Sequence, residues 1–221
     1  MERTDIINSL INRYNFNSYL EIGLDIATNY LQVKCKNKEC VDPYLYQGEE
    51  KFRDLFANDE NASVRKFIEN NILTYKMTSD EFFSLLQPDK MYDIIFIDGL
   101  HTEEQAGRDI INSIKHLNPG GFIVVHDCLP TSYESQSEKR ETAIWYGSTW
   151  RAIPMLKFQG IQYFTVDTDC GCCIIQFNGD KNALYYPQKS TYDYNDVFSN
   201  VLIRNIVMSV ITKEQFLGLI K

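Results

Sequence analysis

Short runs of apolar residues alternate with segments of helical spacing along most of the chain. The strand-like runs cover residues 18–22, 39–41, 73–76, 92–97, 122–125, 161–166 and 173–177. This alternation is typical of a layered α/β fold in which helices connect parallel strands. We therefore expect an α/β fold built on a doubly wound, mostly parallel sheet of seven strands.

Capping signals mark the start of two predicted helices. Thr78 is followed three residues later by Glu81, and Thr102 is followed in the same way by Gln105. A hydroxyl and a carboxyl or amide at this spacing can cap the first turn of a helix reciprocally. The second helix places four apolar residues on one face, namely Ala106, Ile110, Ile114 and Leu117. A further helix is predicted over residues 63–70.

The last two strands and the tail complete the predicted architecture. Six residues, 167–172, separate strands six and seven, which favours an antiparallel hairpin at the edge of the sheet. The tail 192–220 is predicted to be helical. Its expected inward positions are Val197, Val201, Ile206 and Val210. Because no linker interrupts the chain, we expect one domain over residues 1–221, with a core at about 16–178 and a helical C-terminal extension at about 190–221.

Composition and charge exclude several classes of protein. The 221 residues are 44% hydrophobic and 24% charged, which is ordinary for a globular chain, and the net charge is −8. That charge repels phosphate backbones and anionic lipid, so we expect neither nucleic acid nor membrane as a partner. No basic start followed by an apolar stretch is visible at the N-terminus, and six cysteines fit reduced thiols, so we expect a cytoplasmic protein.

Polar residues follow the predicted strands, where open α/β sheets bind ligands. In chain order they are Glu21, Gly23, Asp42, Thr78, Ser79, Asp98, His101, His126 and Asp127. Asp42 lies about 20 residues beyond the first strand, where an acidic side chain can accept both hydroxyls of a ribose. The three-glycine turn that admits a pyrophosphate is missing after Gly23. This pattern favours a nucleoside ligand without phosphates and argues against a nicotinamide-dependent oxidoreductase.

Five blocks in this order resemble the class I S-adenosylmethionine-dependent methyltransferases. They occupy residues 20–23, 41–43, 97–101, 117–121 and 125–128. The set is similar to the branch of small methyltransferases that modify small molecules and glycans. The resemblance implies a Rossmann-like sheet and S-adenosyl-L-methionine as the cofactor.

The resemblance also implies a role for each strand-end residue. Glu21 and Gly23 would hold the methionine part of the cofactor, Asp42 the ribose, and Thr78 with Ser79 would lie near the adenine. Asp98 is assigned to the cofactor side as well, and His101, His126 and Asp127 are assigned to catalysis at the acceptor. In related metal-dependent O-methyltransferases, carboxylates at the positions of Asp98 and Asp127 hold Mg²⁺.

Two residues depart from the family pattern and leave alternatives open. The second glycine of the first motif falls on Ala27, and the third metal ligand falls on Cys128, whose thiol is a poor ligand for a hard cation. Without a metal, His101 or His126 would act as general base. The alternative to catalysis is a non-catalytic nucleoside-binding or scaffolding protein with a degenerate site.

We therefore predict O-methylation of a hydroxyl on a small-molecule or glycan-type acceptor. The loop after the fifth strand, residues 129–146, follows the predicted site, so this loop and the tail are expected to set the specificity for the acceptor. Two roles of the helical tail stay open: its apolar residues form either the contact surface of a homodimer or a cap on the domain.

Overall fold

An eight-stranded sheet forms the centre of the protein in this computed structural model, which describes residues 1–25, 27–43, 74–185 and 189–221. The strands are β1 (Ser18–Ile22), β2 (Asn37–Val41), β3 (Thr74–Tyr75), β4 (Tyr92–Ile97), β5 (Leu117–Val125), β6 (Gln162–Val166), β7 (Cys172–Gln176) and β8 (Val210–Ile211). Their order in the sheet is β3-β2-β1-β4-β5-β7-β6-β8. All seven predicted strands are present, and β8 is an addition that the sequence did not indicate.

Helices cover both faces of the sheet. The α-helices are α1 (Arg3–Tyr14), α2 (Thr28–Gln32), α3 (Ser79–Leu85), α4 (Glu103–Lys115), α5 (Ala152–Met155), α6 (Tyr194–Phe198), α7 (Val201–Val207) and α8 (Lys213–Leu219). Single 3₁₀ turns lie at Glu134–Gln136, Thr149–Arg151, Leu156–Gln159 and Lys181–Ala183. The sequence analysis did not predict α1 or α2, and the helix predicted over 63–70 lies outside the described residues.

The sheet is mixed, because it contains both parallel and antiparallel strand pairs. The pairs β1–β2, β1–β4, β2–β3, β4–β5 and β6–β8 are parallel, whereas β7 is antiparallel to both β5 and β6. The chain moves outward from β1 to β3 and then returns to β4 on the other side of β1. This reversal places the carboxyl ends of β1 and β4 beside a crevice, which is where ligands bind in open α/β sheets.

The capping signals correctly mark the starts of α3 and α4. Thr78 accepts a hydrogen bond from the Glu81 backbone N–H, and the Glu81 side chain returns one to the Thr78 backbone. Thr102 accepts in the same way from Gln105 N. The strand after α4 begins earlier than the predicted 122–125, because its first residues already pair with the start of β4 before a register shift.

Side chains alternate between two cores along the strands. On one face, Leu20 of β1 belongs to a cluster with Ile110 and Ile114 of α4 and with Trp150. On the other face, Tyr19 packs in the cluster that the buried faces of α1 and α8 complete. The sheet is therefore covered on both sides, as the nearly continuous apolar content of β4 predicts.

The C-terminal tail differs from the predicted helical extension. It forms α6, α7, β8 and α8, and β8 pairs with β6, so the antiparallel hairpin is not the edge of the sheet. Thr165 fixes this turn, since its hydroxyl donates to Met208 O at 2.8 Å. Val197 is buried as predicted, but Val201 and Ile206 are 63% and 73% exposed, so their inward assignment is wrong. The helix that holds Val197 ends at Phe198 and a new one begins at Val201 after the extended Asn200, so the helical period on which that assignment rested does not continue across this break.

Within the described residues, no helix combines the length and the apolar character needed to cross a bilayer.

Truncating Phe216 tests whether the last helix is part of the core. Phe216 of α8 is fully buried, whereas Leu219 of the same helix is 63% exposed. Phe216→Ala should lower the free energy of unfolding by about 3–5 kcal/mol, because it removes buried apolar surface and leaves a cavity. Urea titration followed by circular dichroism measures this change.

Leu219→Ala is the matched control and should change the free energy of unfolding by no more than about 0.5 kcal/mol. Equal effects of the two substitutions would show that α8 does not pack on the sheet in the way described.

Candidate active site

The turn after β1 depends on a glycine that packs against the end of β4. Gly23 has φ +86°, and a Cβ at this position would overlap the backbone carbonyl of Asp98. Its N–H donates to Val41 O at 3.0 Å, which ties the turn to the end of β2. The sequence places a glycine here because no side chain fits between the two strand ends.

Asp42 holds the residues that follow this glycine. Its Oδ2 accepts a hydrogen bond from Leu24 N at 2.8 Å and a longer one from Asp25 N at 3.4 Å. The structure thus brings Gly23 and Asp42 together, as predicted for a cofactor turn. Contact of either residue with a cofactor stays a prediction.

Ala27 occupies the position of the missing second glycine. It has φ +61°, is fully buried and precedes the first residue of α2. A left-handed backbone costs an alanine about 1–2 kcal/mol. Ala27 nevertheless adopts the left-handed backbone conformation that glycine favours at this point.

Glu21 points into the protein, away from solvent. Its Oε2 accepts hydrogen bonds from the Tyr19 hydroxyl and, at 3.0 Å, from Asn29 Nδ2. Burial raises the pKa of Glu21 to about 8, and the hydrogen bonds from Tyr19 and Asn29 offset only part of this effect. The side chain thus links β1 to α2, and its predicted contact with the methionine part of a cofactor remains untested.

Thr78 and Ser79 use their hydroxyls within the protein. Thr78 caps α3, and Ser79 Oγ accepts from Gln105 Nε2 at 3.0 Å, which connects α3 to α4. Neither side chain belongs to the cluster of ionisable groups described next. Their predicted place near an adenine stays a prediction.

Three of the predicted residues form a compact cluster at the ends of β4 and β5. His101 Nε2 lies 3.4 Å from Asp98 Oδ1 and 3.3 Å from Asp127 Oδ2. One donor atom from each residue lies within 4.8 Å of the other two. The adjacent parallel pairing of β4 and β5 explains this convergence, because it brings their carboxyl ends side by side.

The loop after β5 fixes the backbone and the ring of His101. Trp145 stacks on the imidazole with ring centroids 4.7 Å apart and an angle of 17°. Ser148 N donates to the His101 carbonyl at 2.9 Å. Gly147 has φ +59°, and a Cβ there would overlap that carbonyl. The polar loop is thus a wall of the site, which the sequence analysis predicted only as a nearby segment.

His126 lies behind this cluster. Its Nδ1 is 3.4 Å from Asp98 Oδ1 and 3.3 Å from Asp127 Oδ1, and the residue is only 4% exposed. Burial lowers the pKa of His126, but the charge of Asp98 and hydrogen bonds to neighbouring carboxylates outweigh it and place the pKa well above its usual range. An imidazole enclosed to this degree is poorly placed to meet an acceptor, so the geometry favours His101 over His126 as the general base.

Two residues that sequence reasoning missed complete the surroundings of His126. Arg3 Nη1 lies 2.8 Å from His126 Nε2 and 3.9 Å from Asp98 Oδ2. Asp169, in the turn between β6 and β7, lies 3.4 Å from His126 Nε2 and accepts a hydrogen bond from Arg3 N at 2.7 Å. No local pattern signals these contacts, because Arg3 and Asp169 are 166 residues apart in the chain.

The three clustered groups have coupled charges. Burial raises the pKa of Asp98, but the charge of His126 and the hydrogen bond to His101 outweigh burial, so this pKa lies well below its usual range. Burial raises the pKa of Asp127. Burial lowers the pKa of His101, but its hydrogen bond to Asp98 and the nearby carboxylate charges raise it overall.

The donor atoms of Asp98, His101 and Asp127 fit a divalent cation. Two carboxylates and one imidazole supply oxygen and nitrogen ligands of the kind that Mg²⁺, Mn²⁺ and Fe²⁺ accept in proteins. Cys128 is not part of this set, because its thiol is fully buried and donates toward the carbonyls of Val125 and His126 at 3.4 Å. A cation held by Asp98 and Asp127 would have the imidazole of His101, and not the thiol of Cys128, as its third protein donor.

The raised pKa of Glu21 predicts a specific pH dependence of stability. Because the folded-state pKa of about 8 exceeds the ordinary 4.5, the folded protein binds this proton more tightly, and stability is lost as pH rises from 4.5 to 8. Between pH 6 and pH 9 the wild type should lose about 2 kcal/mol more than Glu21→Gln, which keeps an oxygen acceptor but does not titrate. Urea unfolding at the two pH values measures the difference.

Glu104→Gln, on the exposed face of α4, should show the same pH dependence as the wild type. If Glu21→Gln also matched the wild type, Glu21 would not be protonated near neutral pH in the folded protein.

Comparison with known proteins agrees with this fold. Residues 25–128 match the family model described as a methyltransferase domain. A candidate caffeoyl-CoA O-methyltransferase from Staphylococcus aureus superposes with a TM-score of 0.55 at 20% identity, over 79% of this chain and 82% of that chain. An O-methyltransferase from Bacillus cereus in complex with SAH gives 0.53 at 11% identity, over 79% and 80% of the two chains.

A candidate O-methyltransferase from Klebsiella pneumoniae gives a TM-score of 0.53 at 11% identity, with 80% of each chain covered. No curated protein sequence matches the chain at a significant level. At these identities the solved structures establish the fold, and the family match adds the type of domain. Residues 25–128 thus match a methyltransferase domain, and the chain has the fold of the solved O-methyltransferases.

Proposed function

We propose that the protein transfers the methyl group of S-adenosylmethionine to a hydroxyl oxygen of a small-molecule or carbohydrate-like acceptor. In this reaction the acceptor O–H bond and the sulfonium S–CH₃ bond break, an O–CH₃ bond forms, and S-adenosylhomocysteine and a proton are released. The names of the S. aureus and B. cereus relatives support O-methylation, and the SAH complex of the latter supports the cofactor.

One observation carries this proposal, namely the direct packing of the turn after β1 against the start of the ionisable cluster. Gly23 abuts the backbone of Asp98 and Gly99, and Asp98 is the first member of the cluster with His101 and Asp127. A cofactor bound on the turn would therefore have the acceptor groups next to it. Such proximity of two reactants is a large part of what catalysis of methyl transfer requires.

The cofactor side of the proposal rests on Asp42 and the turn it holds. A carboxylate at the end of β2 can accept hydrogen bonds from both ribose hydroxyls, and the turn after Gly23 leaves the backbone close to the ligand. Asp42 is held in place by Leu24 N, so its orientation is set before a ligand binds. This arrangement suits the nucleoside part of S-adenosylmethionine, which carries no phosphate.

The acceptor side of the proposal assigns a divalent cation to Asp98, His101 and Asp127. When bound, such a cation lowers the pKa of a coordinated hydroxyl and orients its oxygen. The half-buried Asp98 carboxylate stays ionised because its pKa lies well below the usual range, and Trp145 keeps the His101 ring in one orientation. Without a cation, the His101 imidazole would act as the general base for the acceptor hydroxyl.

The proposal also includes a homodimer. Val201, Leu202 and Ile206 are exposed on α7, at a distance in sequence from the cluster, and would form the contact surface of a homodimer.

Substitution of Asp42 tests the cofactor side. Asp42→Asn keeps an oxygen that can accept from Leu24 N but removes the charge and one acceptor for the ribose. The dissociation constant for S-adenosylhomocysteine should rise at least about tenfold, the cost of one charge-assisted hydrogen bond. Isothermal titration calorimetry measures it.

Asp89→Asn is the matched control, because Asp89 is an exposed carboxylate in the turn before β4, at the other end of the sheet. Its affinity for S-adenosylhomocysteine should equal that of the wild type. Unchanged affinity in Asp42→Asn would remove Asp42 from the cofactor site.

Substitution of the proposed ligands tests the acceptor side. Asp127→Asn and His101→Ala should each weaken Mn²⁺ binding at least about tenfold, because each removes one of three protein donors. Electron paramagnetic resonance of free Mn²⁺ measures the affinity. Methyl transfer to a panel of catechols and glycosides, followed by mass spectrometry, should stop with EDTA and return with Mg²⁺.

His116→Ala, at the far end of α4, serves as the imidazole control and should bind Mn²⁺ like the wild type. Retained S-adenosylhomocysteine binding in Asp127→Asn would show that the fold is intact. Equal Mn²⁺ affinity in the wild type and both ligand variants would reject the cation site and leave His101 as the base.

A further inference from the structure

We propose that a second cavity, at the opposite end of the sheet from the methyl-transfer site, binds a neutral carbohydrate. The cavity has a volume of about 650 Å³ and lies around the open end of the β6–β7 hairpin, where Gln162 pairs with Gln176. Asp169 lies in the turn at the other end of the same hairpin. The five residues of β6 span about 16 Å, so the two sites are separate.

Exposed aromatic rings border this cavity. Phe158 is 72% exposed and Tyr185 is 61% exposed, and both line the cavity together with the partly buried Phe177. Large rings left in solvent around a concave site usually mark a ligand-binding surface. A flat ring offers an apolar face with a large contact area, which suits the C–H face of a pyranose.

Amide side chains supply the polar groups of the cavity. Gln159, Gln162 and Gln176 line it, and amides both donate and accept hydrogen bonds, as sugar hydroxyls do. Gln159 is held in one orientation, because its Oε1 accepts from Tyr185 N at 3.0 Å.

The amide nitrogen of Gln159 lacks a partner. Among the described residues, no acceptor lies within hydrogen-bond distance of this buried Nε2. A buried donor without a partner costs about 1–3 kcal/mol. This nitrogen is closed off from solvent, so a ligand hydroxyl would supply the missing acceptor only after the Gln159 side chain turns toward the cavity.

The lining of the cavity carries little charge. Among its described lining residues there is no lysine, arginine or histidine, and the one ionisable carboxylate is Asp180. Two lysines lie beside the lining: Lys157 Nζ is 5.1 Å from the ring centroid of Tyr163, and Lys181 follows Asp180. The lining itself offers no cation to pair with a phosphate or carboxylate group, and its aromatic faces and amides fit a neutral saccharide.

Saturation-transfer NMR with defined saccharides tests the proposal. The probes are the neutral disaccharides cellobiose, maltose, lactose and chitobiose, with glucose 6-phosphate and glucuronic acid as anionic comparators. At least one neutral disaccharide should receive saturation from the wild type, and the anionic probes should receive none. No transfer to any neutral probe would overturn the proposal.

Matched variants locate the binding. Phe158→Ala and Tyr185→Ala should each weaken binding at least tenfold, because both rings are exposed and their loss leaves the core unchanged. Leu219→Ala, which removes an equally exposed apolar side chain from α8, should bind like the wild type. All three variants should keep wild-type affinity for S-adenosylhomocysteine, so this outcome is independent of the methyl-transfer site.

Two results would reject the carbohydrate site. One is saccharide binding that neither aromatic substitution weakens, which would place the ligand elsewhere. The other is a concentration-dependent dimer in analytical ultracentrifugation that Phe158→Ala abolishes, which would show that a second copy of the chain covers these rings.

Discussion

The packing of the turn after β1 against the end of β4 is the constraint on which the rest of the site depends. A Cβ on Gly23 would overlap the Asp98 carbonyl, so the two strand ends lie as close as backbones allow. The same glycine donates to Val41 O at the end of β2, which brings Asp42 beside the turn. Because β4 also pairs with β5, the groups that follow β5 lie next to the same point. A single close approach thus joins the carboxyl ends of four strands into one crevice.

Charge balance governs the part of this crevice that follows β4 and β5. Asp98, Asp127 and Asp169 surround His126, whose ring is almost closed off from solvent. Buried charges are tolerated only when partners compensate for the water they lose. Arg3 supplies one of these partners, although it belongs to the first helix and not to the sheet. His126 therefore contacts the carboxylates on their buried side, whereas His101 is the imidazole on the side of the polar loop.

Features that follow from the strands of the sheet are predictable from the sequence. Contacts between residues far apart in the chain, and very short elements, are not. The hydrophobic period locates the strand ends, so the sequence predicts that Asp98 lies close to His101 and Asp127. The direction of Glu21 was also readable in principle, since Tyr19 lies two residues earlier and points to the same face of β1. Arg3 was not predictable, because its contacts cross most of the chain. The two residues of β8 are too few for any periodic signal, which is why the tail was predicted as helix throughout.

Backbone strain around the crevice argues that the site is preorganised and not degenerate. Ala27, Asp127, Asp169 and Cys170 all have positive φ although none is glycine, and all lie at or next to the strand ends that form the site. Each such residue costs about 1–3 kcal/mol and persists only where the surrounding structure holds it. Hydrogen bonds between the segment after β5 and the turn after β6, such as Leu129 N to Cys170 O at 2.9 Å, provide that support. A scaffold with no ligand to bind would gain nothing from these conformations, so their concentration at one end of the sheet favours a ligand-binding site over a purely structural role.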